Sequence, residues 1–210
     1  MKKKVGIIIG VVAVVIIVAI LLVVQFVFNK ATDELKQEEE LLNKLSIETK
    51  SGETVELKYA NFENGEFYLK LPKIFKQMDE ETIKVKYPNG NPPSFAFAND
   101  NATISIAVSI SDVEMKDEAI GAFVESMKTQ LGSGAEILDS SVTEKDGHTI
   151  GQLKMVTKGT DTEIYNHMLM FSCNDKFRTI GFNCTKELQE EWQEVGAFII
   201  NSLMFPVDEK

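Results

Sequence analysis

Two histidines, two cysteines and a few Asn-Asp turns are the side chains from which metal or acid–base chemistry could be built in this chain. A zinc site needs three or four closely spaced ligands, and a general base needs a partner to orient it. His148 and His167 make no H-x-x-x-H, and Cys173 and Cys184 make no C-x-x-C. His148 follows the turn pair Asp146-Gly147 and is expected at the surface. His167 is expected inside a strand as a structural histidine. Asn99-Asp100-Asn101 and Asn174-Asp175 resemble fragments of a calcium loop, but the terminal Glu of that pattern is missing, and Asn and Asp are ordinary turn residues. No serine stands in a G-x-S-x-G elbow. Gly132-Ser133-Gly134 lacks the lysine and the strand-to-helix setting of a phosphate loop, so it reads as a helix stop. The expectation is a non-enzymatic protein with no catalytic residue, no metal ligand and no cofactor.

The cysteines follow from the elements around them. Residues 165–173 and 177–184 read as two strands joined by a tight turn at Asn174-Asp175. Cys173 then lies beside the turn and Cys184 at the far end, on the order of 26 Å away along the strand. A disulfide needs Cα atoms within about 7 Å. Both are therefore expected as buried free thiols with a structural role, as is Trp192 in the core.

Other strands are expected at 46–49 and 54–59, flanking the turn Lys50-Ser51-Gly52-Glu53. Further candidates are 67–71 after Glu63-Asn64-Gly65-Glu66, then 82–87, 95–97 and 104–110. Two more, 136–143 and 148–157, flank Asp146-Gly147. Between 118 and 131 the period changes. Ile120, Phe123, Val124, Met127 and Leu131 fall on one helical stripe, with Asp117 as N-cap. A second helix is expected over 186–203, capped by Thr185, with Leu188, Trp192, Val195, Ile199 and Leu203 inward. The stretch Tyr87, Pro88, Asn89, Asn91, Pro92, Pro93 and Phe95 is irregular and is the surface expected to meet a partner, since loops on rigid sheets carry function.

The front of the chain sets its placement. Residues 5–28 hold one polar side chain, Gln25, and no charge. As a helix that run spans roughly 36 Å, enough to cross a hydrocarbon core of about 30 Å. Lys2, Lys3 and Lys4 precede it, and Asp33, Glu34, Glu38, Glu39 and Glu40 follow within a few turns. The lysines predict an N-terminus kept inside and a domain exported. The run is long for a signal peptide and lacks a small-x-small cleavage site, which favours an uncleaved anchor in a cytoplasmic membrane. The expected organisation is a basic tail (1–4), a single-pass span in lipid (5–28), a short helical stalk (29–45) and an extracytoplasmic domain (46–210). In the stalk Leu35, Leu42 and Leu45 share a side interrupted by Glu38, which predicts a monomer or at most a weak stalk dimer. The first thirty residues carry four lysines and no acid, so the remainder has 18 basic against 32 acidic side chains, a charge of −14. That balance argues against nucleic acid as a partner.

The order of elements resembles the PsbP-like fold. The matching features are an opening hairpin, the strand Phe67-Tyr68-Leu69-Lys70-Leu71-Pro72, a strand-rich middle, an amphipathic helix, a hairpin, and a final helix ending Asn-Ser-Leu. That fold includes oxygen-evolving extrinsic proteins, a Ran-binding nuclear-transport factor and DcrB-like bacterial envelope proteins. Ile164-Tyr165-Asn166-His167-Met168, Gly181-Phe182-Asn183-Cys184-Thr185 and Trp192 resemble membrane-anchored proteins of Gram-positive bacteria. The resemblance implies an α+β sandwich, a mostly antiparallel sheet packed by two amphipathic helices. It also implies a non-catalytic role in binding a protein or wall component outside the membrane. The alternative is an exported receptor or enzyme with a small-ligand pocket between sheet and helices.

Overall fold

The computed structural model describes residues 43–88 and 91–206, together with Gln25 and Lys30. The chain divides into two compact units, Met1–Lys44 and Leu45–Lys210, and the elements below belong to the second. The span expected at 5–28 and the stalk expected at 29–45 lie outside the described residues, except for Gln25, Lys30 and 43–45. Among the described residues no helix is long and apolar enough to cross a membrane.

Alternating apolar residues build two antiparallel sheets. The smaller consists of β1 (Ser46–Glu48), β2 (Thr54–Phe62) and β3 (Phe67–Pro72), in that order. In β3 the inward side chains Phe67, Leu69 and Leu71 are fully buried. The larger sheet has seven strands: β4 (Lys76–Gln77), β5 (Phe95–Ala98), β6 (Ile104–Glu114), β7 (Ala135–Lys145), β8 (His148–Lys158), β9 (Glu163–Cys173) and β10 (Lys176–Thr185). Their spatial order is β4-β5-β6-β10-β9-β8-β7. Both tight hairpins use backbone of positive φ, at Asp146-Gly147 (+49°, +80°) and at Asn174-Asp175 (+53°, +57°). This is the type I′ geometry that matches strand twist, and Asp, Asn and Gly tolerate it.

Three helices complete the unit: α1 (Glu80–Lys86), α2 (Ile120–Leu131) and α3 (Gln189–Asn201). The α+β expectation holds, but 82–86 is helix, with Tyr87 as its C-cap, where a strand over 82–87 was expected. Thr82, Ile83 and Val85 suggest a strand by β-branching, yet the start signal overrides them. The Asp79 carboxylate accepts from the Thr82 backbone N–H at 2.7 Å. Glu80 and Glu81 then occupy the first turn, and Lys84 and Lys86 the last, in keeping with the helix dipole. Two expected caps also differ. Short 3-10 turns, Asp117–Ala119 and Lys186–Leu188, precede α2 and α3; Asp117 lies inside its turn, and Thr185 stands at the N-cap position of its turn without a side-chain cap hydrogen bond. Asp117 instead accepts from the Thr149 backbone N–H at 3.1 Å.

The helices cover opposite faces of the seven-stranded sheet, as strand alternation requires. On one face Val124 of α2 packs with Leu153, Met155 and Met170, joined by Phe123, Met127 and Met168. A Cβ at Gly151 would stand 2.5 Å from Val124, so glycine sets how closely α2 approaches β8. On the other face α3 buries Trp192, Val195, Phe198, Ile199 and Ile200. A Cβ at Gly196 would stand 2.4 Å from the Phe182 ring. Trp192 is 7% exposed and stacks on Phe75. The smaller sheet lies over this same face through Phe62, which meets Phe95 and Phe97, and Phe67, which meets Phe171. Behind α3 the chain returns to β3. Tyr68 and Met204 exchange both backbone hydrogen bonds, and the buried Ser202 hydroxyl accepts from the Lys70 backbone N–H at 2.9 Å.

One buried ion pair links the two sheets. Arg178 of β10 is 2% exposed. Its Nε and Nη2 donate to the two carboxylate oxygens of Glu63, the latter at 2.6 Å. Nη1 donates to the Ser111 and Phe177 carbonyls at 2.7 and 3.0 Å. Glu63 stands in the β2–β3 turn with φ of +49°. Arg178→Met would leave that carboxylate unpaired and is expected to cost about 3–5 kcal/mol. Adding Glu63→Asn, which tolerates the left-handed backbone, should recover much of the loss. Urea unfolding of the three proteins decides this, and a double variant less stable than Arg178→Met alone would refute the pairing.

Both cysteines are free and buried. Cys173 pairs in register with Lys176 and Cys184 with Tyr165, which puts them at opposite ends of the β9–β10 hairpin. Burial pushes the thiols up, to about 11 for Cys173 and about 12 for Cys184. Under denaturing, non-reducing conditions two thiols per chain should titrate. In the native state at neutral pH their reaction should be slow for want of thiolate. A count of zero thiols after denaturation would contradict the register.

Candidate functional site

The seven-stranded sheet carries a groove of about 790 Å³ where α1 and the ends of β8, β9 and β10 converge. One wall comes from α1 and the residues just after it: Thr82, Val85, Lys86, Tyr87 and Pro88. The β5–β6 turn adds Ala102 and Thr103, the end of β8 adds Lys158, and the loop after it adds Gly159 and Thr160. The floor includes Thr157, Asn166 and Asn183. By alternation these share the face of Met155, Met168 and Phe177, opposite His167 and Phe182. Asn166 and Asn183 are cross-strand partners. Ser105 donates to Asn183 Oδ1 at 2.6 Å, and Asn166 Nδ2 donates to Thr157 Oγ1 at 3.0 Å.

The loop expected to bind a partner is divided by the fold. Tyr87 and Pro88 reach the groove. Tyr87 closes α1, donating its backbone N–H to Ile83, and Pro88 is exposed. Asn89 lies outside the described residues. Asn91 and Pro92 are exposed, Pro93 is buried, and Phe95 is half-buried against Phe62. Lys86, Lys158, Asn166 and Asn183 were not anticipated as site residues. A signal existed: polar asparagines stand mid-strand at 166 and 183 in otherwise apolar stretches. Their convergence depends on pairing between strands and was not visible locally.

Neither histidine reaches this groove. His148 was expected at the surface and is instead half-buried. It stacks on Phe205 at 3.9 Å, with Nδ1 3.7 Å from the Asp117 carboxylate. The returning C-terminal segment covers it, which no local pattern announces. His167 is 1% exposed. Its Nε2 donates to Gln152 Oε1 at 2.9 Å, and the Gln152 amide nitrogen donates in turn to Asn201. Nδ1 is buried and has no hydrogen-bond partner among the described residues. Among the described residues no three His, Cys, Asp or Glu side chains are grouped to hold a metal ion.

Burial, reinforced by the Lys154 ammonium and opposed by the Asp139 carboxylate, lowers the His167 pKa to about 4. An unfolded histidine titrates near 6.5. Between those values the unfolded chain binds a proton that the folded chain does not, so stability falls as pH drops from about 6.5 towards 4. The loss from this group reaches about 3 kcal/mol. Urea unfolding between neutral and mildly acidic pH should show that slope, and His167→Gln should flatten it. An unchanged slope in the variant would show that another group titrates.

No protein-family model matches the chain, and no curated protein sequence matches it significantly. Solved structures do match by fold. The solution structure of cyanobacterial PsbP (CyanoP) from Synechocystis sp. PCC 6803 superposes with a TM-score of 0.52 at 14% identity. It covers 71% of this chain and 92% of its own. LpqN of Mycobacterium tuberculosis, described as involved in cell envelope biogenesis, gives 0.46 at 9% identity, covering 72% and 92%. The CyanoP likeness carries the assignment, and at that identity it speaks to architecture alone. The chain has the PsbP-like fold.

Proposed function

We propose that this chain is a non-enzymatic accessory domain, held by residues 5–28 to the outer face of a cytoplasmic membrane, whose docking surface is the groove beside α1. The observation that carries the reading is the groove itself: a concave, partly polar surface of about 790 Å³ with Tyr87 and Pro88 on its wall. Concave sites with a few converging polar groups are where ligands are taken up. The anchor rests on the uncharged apolar run and on the lysines before it. Its mechanism is tethering, since one span confines the domain to a surface and raises its effective concentration for a neighbour there. The partner is a protein or a wall component. The same groove also supports a second reading, an exported receptor for a small ligand.

In-cell photo-crosslinking of the full chain tests the proposal. A photoreactive residue replaces Pro88 or, as a control, Val113, which is 62% exposed on β6 and not part of the groove. The expected result is a discrete adduct from position 88 but not from 113, retained when 1–30 are exchanged for an unrelated span. Equal adducts from both positions, none from either, or loss of the adduct on exchanging the anchor would overturn the groove as the docking surface.

A further inference from the structure

The groove is basic and free of acids in a chain where acids dominate. Its lining holds Lys86 and Lys158 and no Asp or Glu, while the chain carries 32 acidic against 22 basic side chains. Among the described residues no carboxylate pairs with the Lys86 ammonium. Its Nζ donates to the Ala102 carbonyl at 2.7 Å, which uses one of three N–H donors. Burial lowers its pKa to about 8 with no acid opposing the shift. A carboxylate partner would have held it up. The carbonyl that Lys86 holds belongs to Ala102, whose φ of +53° is left-handed backbone that a residue with a Cβ adopts at a cost. Strain of this kind collects at binding sites. Lys158 is exposed. It also lines an adjoining pocket of about 200 Å³ together with its cross-strand neighbour Glu163, which does not line this groove.

The remaining lining suits a hydroxylated molecule. Thr82, Thr160 and Thr185 bring hydroxyls. Asn183 engages Ser105 through Oδ1, which turns its Nδ2 to donation. The Tyr87 hydroxyl is enclosed and has no hydrogen-bond partner among the described residues. Val85, 81% exposed, and Ile164 offer apolar surface to a carbon chain.

We propose that this groove binds a phosphate group carried on a polyol, with the Lys86 and Lys158 ammoniums holding the phosphate and the threonine and asparagine side chains meeting the hydroxyls. The assignment rests on the reading of the groove as the docking surface. Lysines supply point charges suited to phosphate oxygens, and the lining itself places no carboxylate against an anion bound there.

Calorimetric titration of the full chain in detergent micelles tests this, with glycerol 3-phosphate as the monoester, glycerophosphoglycerol as the diester and glycerol as the neutral control. Saturable binding of one ester or both is expected, weakening as salt rises, with none for glycerol. Either ester meets the proposal, and the tighter one says whether a terminal or an internal phosphate is recognised. Lys86→Met with Lys158→Gln should weaken binding by roughly tenfold or more. Lys86→Arg should retain it. If the double variant does not fold, Lys158→Gln alone and the salt dependence carry the test. No saturable binding up to about 10 mM, or binding unmoved by removing the lysines, would overturn the proposal. An adduct from position 88 without anion binding would refute the phosphate and leave the docking surface standing. The loss of both would refute both.

Discussion

The bidentate contact between Arg178 and Glu63 is the constraint on which the arrangement of the two sheets depends. A guanidinium that is 2% exposed is costly to desolvate unless its donors are met. Here they are met by the Glu63 carboxylate and by two main-chain carbonyls from β6 and β10. The Glu63 carboxylate reaches Arg178 from a β2–β3 turn that bends through left-handed backbone at Glu63 and Asn64, with φ of +49° and +57°. Such a pair contributes less net stability than its Coulomb energy suggests. It penalises any register of the smaller sheet that would leave either charge alone. The phenylalanine cluster of Phe62, Phe67, Phe95, Phe97 and Phe171 supplies the apolar surface between the sheets, and the ion pair selects how that surface is placed.

The two close approaches at Gly151 and Gly196 explain where the groove can exist. Each brings a helix so near the sheet that a single methyl would collide with Val124 or Phe182. With α2 seated over β8 and α3 over β10 on the opposite face, the end of the sheet where β8, β9 and β10 meet α1 is left concave. Polar residues at 166 and 183 are tolerated there because their amides are met by neighbours, while their strand neighbours His167, Phe182 and Cys184 remain buried. The packing that stabilises the fold thus also spares the surface available to a ligand.

Much of the architecture was legible because its signals are local. Alternation in 104–110, the turn pairs Asp146-Gly147 and Asn174-Asp175, and the stripe from Ile120 to Leu131 each depend on residues a few positions apart. So did the placement of Cys173 and Cys184 at opposite ends of one hairpin. The misreading at 82–87 has a similarly local cause. β-Branched residues in a short segment favour a strand by propensity, yet Asp79 and the two glutamates after it initiate a helix whose buried contact is Ile83 alone. His148 was misjudged for a different reason, since the cover it receives from Phe205 comes from the far end of the chain.

The amino-acid sequence by itself determined the longer strands, the hairpin turns and the two longer helices, though not the short strand β4 or helix α1, because the former follow from periods of two and 3.6 residues and from the backbone preferences of Gly, Asn and Asp. It also supplies the whole argument for an anchor at 5–28, which rests on hydropathy and flanking charge. Only the tertiary structure decided that Arg178 meets Glu63, that the Ser202 hydroxyl meets the Lys70 backbone of β3, and that Lys86 and Lys158 border a hollow without acids. Those juxtapositions depend on strand order and on how closely helices approach a sheet. Such quantities are set by packing among residues distant in the chain, and no local pattern encodes them.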